Sequence, residues 1–361
     1  MPAGKESPPA RGKFRHLRVA RIDQLCSDAA AITFDVPRNL TKEFAFRPGQ
    51  SITVRRVVDG HDERRSYSIC APRGAAPRIG VREVPDGAVS SWLIHEVRPG
   101  DKVEVEPPSG RFTPELDTPA HHGFIAAGSG ITPILSMAAS VLVDPASRAT
   151  ILYANRRTDS VMFADEVADL KDRYPTRLQL VHVLSREAQE VELFSGRLTS
   201  DKLRVLLPLI CRVVAVDHWW LCGPYGLVTD AIAALTDFGV ETDRIHRELF
   251  YVEDEPPPPA EHPDATPTGA VSEVTIVLDG RTTTMLVPRD TPILDGAQRV
   301  RPDLPFACKG GVCGTCRAQL VTGEVNLRRN FALEASELAA GFVLTCQSFP
   351  VTDAVTVDYD R

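Results

Sequence analysis

The sequence predicts a multidomain chain made of an antiparallel β-barrel, then an α/β domain on a parallel sheet, then a small cysteine-bearing β domain. Short β-rich pieces between Pro, Gly and Asp turns fill residues 14–115, at the intervals of a barrel or sandwich. From about His122 apolar strands alternate with helix-length segments, the pattern of a parallel sheet covered by helices. Four of the eight cysteines then crowd into the last quarter of the chain.

Length and composition agree. A chain of 361 residues has room for two or three domains. With 43% hydrophobic and 25% charged residues it has the composition of a folded globular protein rather than a disordered or membrane-embedded one. A formal charge of −7 supplies no strong positive field, so nucleic acid is not an expected partner. The first twenty residues lack the apolar run of a signal peptide. The most apolar stretch, 205–216, is broken by Pro208 and Arg212 and falls short of the roughly 20 residues that span a bilayer. That stretch reads as a core segment, and the chain as a cytoplasmic protein with no membrane partner.

In order, the barrel region offers strands at 31–36, 51–58, 66–70 and 103–106 and a helix at 90–97. The α/β region offers strands at 123–127, 150–154 and 178–184 and helices at 134–143 and 163–173. The segment VEDEPPPPAEHPDATPTGA, residues 252–270, reads as a linker, because proline-rich acidic sequence favours extended polyproline II over a packed core. Beyond it, 274–278 and 283–287 form a hairpin around Asp279-Gly280, and a helix follows Thr291-Pro292 at 293–298.

Cys308, Cys313, Cys316 and Cys346 stand as C-x4-C-x2-C plus a distant cysteine, the plant-type [2Fe–2S] spacing. Gly310, Gly311 and Gly314 let the loop close around a cluster and present amides to it. Lys309 and Arg317 add positive charge beside an anionic cluster. A structural zinc site is the alternative, but it usually pairs two short C-x2–4-C knuckles, and only one C-x2-C exists here. Cys26, Cys70, Cys211 and Cys222 have no ligand spacing, and the nine histidines contain no HExxH pair.

Further motifs fall at element ends. Arg65-Ser66-Tyr67-Ser68 ends a strand, and Gly87-Ala88-Val89-Ser90 opens a helix. An arginine pairs with pyrophosphate, a tyrosine lies against an isoalloxazine and a serine hydroxyl reaches a ring nitrogen; a surface arginine and a half-buried strand tyrosine are the bland alternative. Gly128-Ser129-Gly130-Ile131-Thr132-Pro133 follows an apolar strand and opens a helix, as a dinucleotide phosphate loop does, although its GxGxxP spacing is not the ordinary GxGxxG fingerprint. Arg156, Ser185-Arg186 and Cys222-Gly223-Pro224 each follow or end a strand, where open α/β sheets bind ligands.

RSYS, GAVS, GSGITP, CGP and the cysteine set, in that order, resemble the ferredoxin–NADP reductase superfamily with a fused C-terminal ferredoxin, over nearly the whole chain. Within it, LYANRRTDSVMFADEVADLKDRYPTRLQLVHVLSRE and PFACKGGVCGTCRAQLVTGEVNLRRNFALEASELAAGFVLTCQS are similar to the oxygenase reductases of the phenylacetyl-CoA epoxidase type; reductases of steroid and aromatic-ring oxygenases share most of these motifs. The resemblance implies a flavin-binding antiparallel β-barrel over 14–115, an NAD(P)-binding parallel-sheet α/β domain over 120–251 and a β-grasp [2Fe–2S] ferredoxin domain over 271–361. It implies that Arg65 holds flavin phosphate, Tyr67 packs on the isoalloxazine and Ser68 approaches its redox-active edge, with Gly87, Val89 and Ser90 at the pyrophosphate and Ser66 in the same strand motif. Thr132 and Pro133 would lie near the flavin, Gly128 and Gly130 would clear room for the nicotinamide nucleotide, and Cys222, Gly223, Pro224 and Glu248 would border the hydride-transfer region. For Cys222 a buried small hydrophobe is the equal alternative. FAD is preferred over FMN. NADPH is preferred over NADH because Ser185 and Arg186 resemble the pair that holds a 2′-phosphate and no acidic residue stands where it would receive a ribose 2′-hydroxyl, against the alternative of an ordinary surface loop; Arg156 is a further candidate for the nucleotide. The implied activity is electron transfer from NADPH through FAD and [2Fe–2S] to a diiron oxygenase complex; a steroid or aromatic-ring oxygenase partner and a non-catalytic redox module are the alternatives.

Overall fold

The computed structural model describes residues 14–251 and 270–361. The chain divides into two compact units, the barrel with the α/β domain forming one and the C-terminal domain the other. The linker expected at 252–270 lies, but for Ala270, outside the described residues.

The barrel contains β1 (Arg15–Cys26), β2 (Ala29–Asp35), β3 (Ser51–Val58), β4 (His61–Ser68), β5 (Arg78–Arg82), α1 (Ser90–His95) and β6 (Lys102–Val105). Its antiparallel sheet runs β4-β3-β6-β1-β2-β5, and a bridge between Ile69 and Ile79 ties the two outer strands. Leu17, Val19, Ile32, Phe34, Ile52, Val54, Val103 and Val105 alternate inward along their strands and fill the core. The strand expected at 66–70 is the tail of β4, which starts earlier because Asp59 and Gly60 take positive φ (50° and 81°) and close a tight hairpin with β3.

The α/β domain contains β7 (His121–Ala127), α2 (Ile131–Val141), β8 (Arg148–Asn155), α3 (Ala164–Arg173), β9 (Leu178–Leu184), α4 (Ser200–Ile210), β10 (His218–Pro224), α5 (Tyr225–Asp237) and β11 (Ile245–Tyr251). The sheet is wholly parallel in the order β11-β10-β7-β8-β9, so the chain reverses direction of travel across the sheet between β7 and β10. A crevice at the C-terminal ends of these two strands is where such sheets bind ligands. Helix α2 begins three residues before the expected 134, since Pro133 fits a first turn whose amides have no partner within the helix. Residues 205–216 are not the continuous core segment expected: Leu206 and Leu207 are buried, but Val205 and Leu209 face solvent because α4 buries one side only.

The C-terminal domain contains β12 (Val271–Leu278), β13 (Arg281–Pro288), α6 (Ile293–Gln298), β14 (Arg317–Thr322), β15 (Val325–Leu327), α7 (Ala335–Ala339), β16 (Phe342–Leu344), β17 (Ser348–Pro350) and β18 (Ala354–Asp358). Its sheet runs β13-β12-β18-β14-β16, with β12 and β18 parallel and the other pairs antiparallel, and β15 and β17 form a separate ribbon. This mixed sheet with α6 packed on it is a β-grasp, and the hairpin turns at Asp279-Gly280 as the sequence predicts. Among the described residues no helix is long and apolar enough to cross a membrane.

Candidate functional site

Strand β4 sets Arg65 opposite Val54 and Tyr67 opposite Ile52. The Arg65 guanidinium is 47% exposed and lies 3.2 Å from Glu63. The Tyr67 ring packs on the barrel core, and burial pushes its hydroxyl pKa up. Ser66 Oγ lies 3.2 Å from Thr53 Oγ1. At the start of α1, Ser90 Oγ accepts the Val84 amide of the loop before the helix at 3.1 Å. A Cβ at Gly87 would stand 2.5 Å from that hydroxyl and 2.8 Å from the Val84 carbonyl oxygen, so the tight loop leaves no space for a side chain there. Val89 is buried in the barrel core, so only its backbone is available to a phosphate. Arg56, which the sequence did not single out, donates to the Ala88 carbonyl at 2.7 Å and lies over the Trp92 ring, fixing this loop.

Gly128–Gly130 make one 3-10 turn between β7 and α2. A Cβ on Gly130 would fall 2.2 Å from the Cys222 carbonyl oxygen, so the turn after β7 touches the C-terminal end of β10 backbone to backbone. Thr132 is buried and donates to the Ser129 carbonyl at 2.6 Å, with its methyl group against Gly80 of the barrel; Pro133 is buried beside it. Cys222 pairs in register with Glu248 across β10 and β11, and Ser68 Oγ donates to Glu248 Oε2 at 3.4 Å. Ser68, Cys222 and Glu248 therefore meet where barrel and α/β domain adjoin. Burial raises the Cys222 thiol well above its usual range, and the Glu248 charge adds to that. The Glu248 carboxyl keeps some surface but is enclosed by protein, which pushes its pKa up to about 7, while the Ser68 hydroxyl opposes the rise.

Arg156 and Arg186 follow β8 and β9, where the Ser185 amide donates to the Asn155 carbonyl and the Arg186 amide to the Arg156 carbonyl, both at 2.8 Å. Both arginines are exposed and Ser185 is half-buried. Nearby Glu187 is occupied by the amide and hydroxyl of Thr158, at 2.8 and 2.7 Å, which holds its carboxyl below the usual range. Asn155, at the end of β8 beside Arg156, is buried, and neither of its carboxamide atoms has a hydrogen-bond partner. An orphaned carboxamide at this strand end fits a crevice that receives a polar ligand.

In the C-terminal domain the Cys308 sulfur accepts the amides of Gly310, Val312 and Cys313, each at 3.4 Å. The Cys313 thiol, with these amides, draws Cys308 down to about 6, and the shared proton raises Cys313 in turn. Cys316 and Cys346 form a second pair, with Cys346 raised. Among the described residues no three metal-binding side chains converge on a single ion. Four cysteines, with the Cys308 sulfur already accepting three backbone amides, fit the ligand set that the plant-type [2Fe–2S] spacing calls for. The positive charge expected beside this loop is largely neutralised: Lys309 pairs with Asp295 at 2.8 Å and Arg317 with Glu337 at 2.9 Å.

Known families match all three domains. Residues 16–113 match an oxidoreductase FAD-binding domain, 124–232 an oxidoreductase NAD-binding domain and 276–351 a 2Fe-2S iron-sulfur cluster binding domain. The chain is 38% identical to one of the subunits of 1,2-phenylacetyl-CoA epoxidase of Escherichia coli (strain K12), covering 96% of this chain and 98% of that protein. It is 32% identical to the ferredoxin reductase component of 3-ketosteroid-9-alpha-monooxygenase of Rhodococcus rhodochrous, covering 95% and 96%. Phthalate dioxygenase reductase shares the fold, with a TM-score of 0.60 at 22% identity over 96% of this chain and 98% of that one. The FAD-binding barrel, the nicotinamide-binding parallel sheet and the [2Fe–2S] β-grasp, in this order and over this length, place the chain in the family of ferredoxin-reductase-type oxidoreductases that serve as reductase components of multicomponent oxygenases.

Proposed function

We propose that this reductase takes electrons from NADPH and delivers them to a diiron oxygenase that epoxidises phenylacetyl-CoA, in the cytoplasm. The observation that carries the partner is the 38% identity to the epoxidase subunit over nearly both full lengths. Bound FAD supplies the conversion between a two-electron hydride donor and the one-electron [2Fe–2S] acceptor. The chain's residues hold and orient. Tyr67 offers a ring face to the flavin, Arg65 and the Gly87–Ser90 loop its phosphate sites, and Cys308, Cys313, Cys316 and Cys346 ligate the irons. Thr132, Pro133, Gly128, Gly130, Gly223 and Pro224 shape the crevice. Buried Ser68 and Cys222, with the enclosed Glu248, keep water from the reacting edge, and the Ser68 hydroxyl donates a hydrogen bond to the Glu248 carboxyl. The preference for NADPH rests on Arg156 and Arg186, adjacent and without ion-pair partners among the described residues, beside a Glu187 that Thr158 holds. The 32% identity to a steroid monooxygenase reductase supports a second reading, in which the acceptor is a steroid hydroxylase.

The test is NADPH-driven turnover of phenylacetyl-CoA with a purified epoxidase oxygenase complex, beside a ketosteroid oxygenase and NADH as controls. Fast coupled epoxidation with the first alone supports the reading. Dye reduction without coupled product moves the partner to another oxygenase.

A further inference from the structure

Residues 328–332 form a wall against the cysteine loop. The Arg328 amide donates to the Gln347 carbonyl at 3.0 Å, and the Gln347 carboxamide donates to the Lys309 carbonyl at 2.7 Å. Phe331 donates its amide to the Gly311 carbonyl at 3.0 Å, and Cβ atoms on Gly311 and Gly314 would stand 3.1 Å from the Arg329 carbonyl oxygen and 3.6 Å from the Ala332 methyl group. Cys313 reaches the surface at this rim. The Arg328 side chain is exposed, with its guanidinium 3.5 Å from the centroid of the Phe349 ring, and no carboxylate pairs with it among the described residues. Lys309 and Arg317, by contrast, are tied to Asp295 and Glu337.

We propose that Arg328, stacked on Phe349 beside the rim 310–315, is the anchor of the docking surface for the external electron acceptor, and that this surface fits an acidic patch on a protein. Stacking orders the guanidinium while leaving its charge and donors outward, so an incoming carboxylate meets a group already in place. With 9 basic and 11 acidic residues over 271–361 the domain has no strong overall field, so a local uncompensated charge next to the cluster sets the orientation of approach. A small contact of this kind suits a transient electron-transfer encounter. The proposal rests on the reading that electrons leave through the cluster to a protein.

The experiment uses the full-length holoprotein and the variants Arg328→Glu and Arg328→Lys, with acidic cytochrome b5 and basic cytochrome c as probes. Affinity for immobilised cytochrome b5, KM and its dependence on salt, and the rate at which NADPH reduces the cluster are each measured. Arg328→Glu is expected to weaken binding and raise KM for cytochrome b5 by about 5–10-fold and to flatten the salt dependence, with cytochrome c unharmed. Arg328→Lys should stay within about threefold of the parent, and NADPH reduction of the cluster should be unchanged in both. Unaltered binding of cytochrome b5, equal losses with both cytochromes, no cytochrome b5 reduction by the parent, or slowed reduction of the cluster would each overturn the proposal. Both cytochromes take electrons without an oxygenase, so failure to couple with the epoxidase complex overturns the substrate reading and not this one.

Discussion

Ser68, at the end of a barrel strand, donates a hydrogen bond to Glu248 on the outermost strand of the parallel sheet, 3.4 Å away and 180 residues later in the chain. Glu248 in turn stands in register with Cys222, so one carboxyl links the flavin barrel to the strand end where the nicotinamide crevice opens. Its titration is therefore a reporter of how the two domains adjoin.

The folded-state pKa of Glu248, about 7, lies above the ordinary 4.5. The folded protein then binds more protons than the unfolded chain between these values, so stability is highest below about 4.5 with respect to this group and declines as pH rises through 7. Glu248→Gln removes that penalty. Thermal unfolding should show the variant more stable than the parent by about 1–3 kcal/mol at pH 8.5, with the difference shrinking as pH falls and vanishing below about pH 4. A gap independent of pH would contradict a protonated native Glu248.

Gly130→Ala forces a methyl group into the Cys222 carbonyl, where the space is 2.2 Å. Backbone on both sides leaves no flexible neighbour to yield, so this turn and β10 must separate at a cost of about 1–3 kcal/mol. The melting temperature should fall and the KM for the nicotinamide nucleotide should rise, with iron content of the C-terminal domain unchanged. A variant with the parent's KM would show that this contact does not shape the crevice.

Arg186→Ala removes one of the two guanidiniums, Arg156 and Arg186, that have no ion-pair partner among the described residues at the ends of β8 and β9. A charge-assisted bond to phosphate contributes about 1.5–3 kcal/mol, so the ratio of kcat/KM for NADPH over NADH should drop by roughly 10–100-fold, mainly through KM. Steady-state kinetics with both nucleotides reads this directly, and an unchanged ratio would remove Arg186 from the 2′-phosphate site.

Much of the fold and site is legible in the sequence because it is local. The cysteine set is legible from its spacing, the Asp279-Gly280 hairpin from turn chemistry, and β7, β8 and β9 from short apolar runs. Arg56 is invisible there because its role lies in reaching Ala88 across the sheet. The exposed face of α4 is hidden when apolar content is read without its helical period, which puts Val205 and Leu209 outside and Leu206 and Leu207 inside. Motif order suggests that Ser68, Cys222 and Glu248 share a site, but only the fold supplies the hydrogen bond between groups so far apart in sequence. Sequence alone overcounts the charge of Lys309 and Arg317 for the same reason, since their acidic partners are recognised only in three dimensions.

Electrons should pass through separable modules, from a nicotinamide and flavin unit to a cysteine-bound cluster and then outward. Cys313→Ser separates them, when [2Fe–2S] absorbance, NADPH-driven dye reduction and electron delivery to a protein acceptor are measured in one preparation. Loss of the cluster signal and of delivery to the protein is expected, with dye reduction within about twofold of the parent. Loss of dye reduction together with the cluster, or continued delivery to the protein without it, would rule out separable modules.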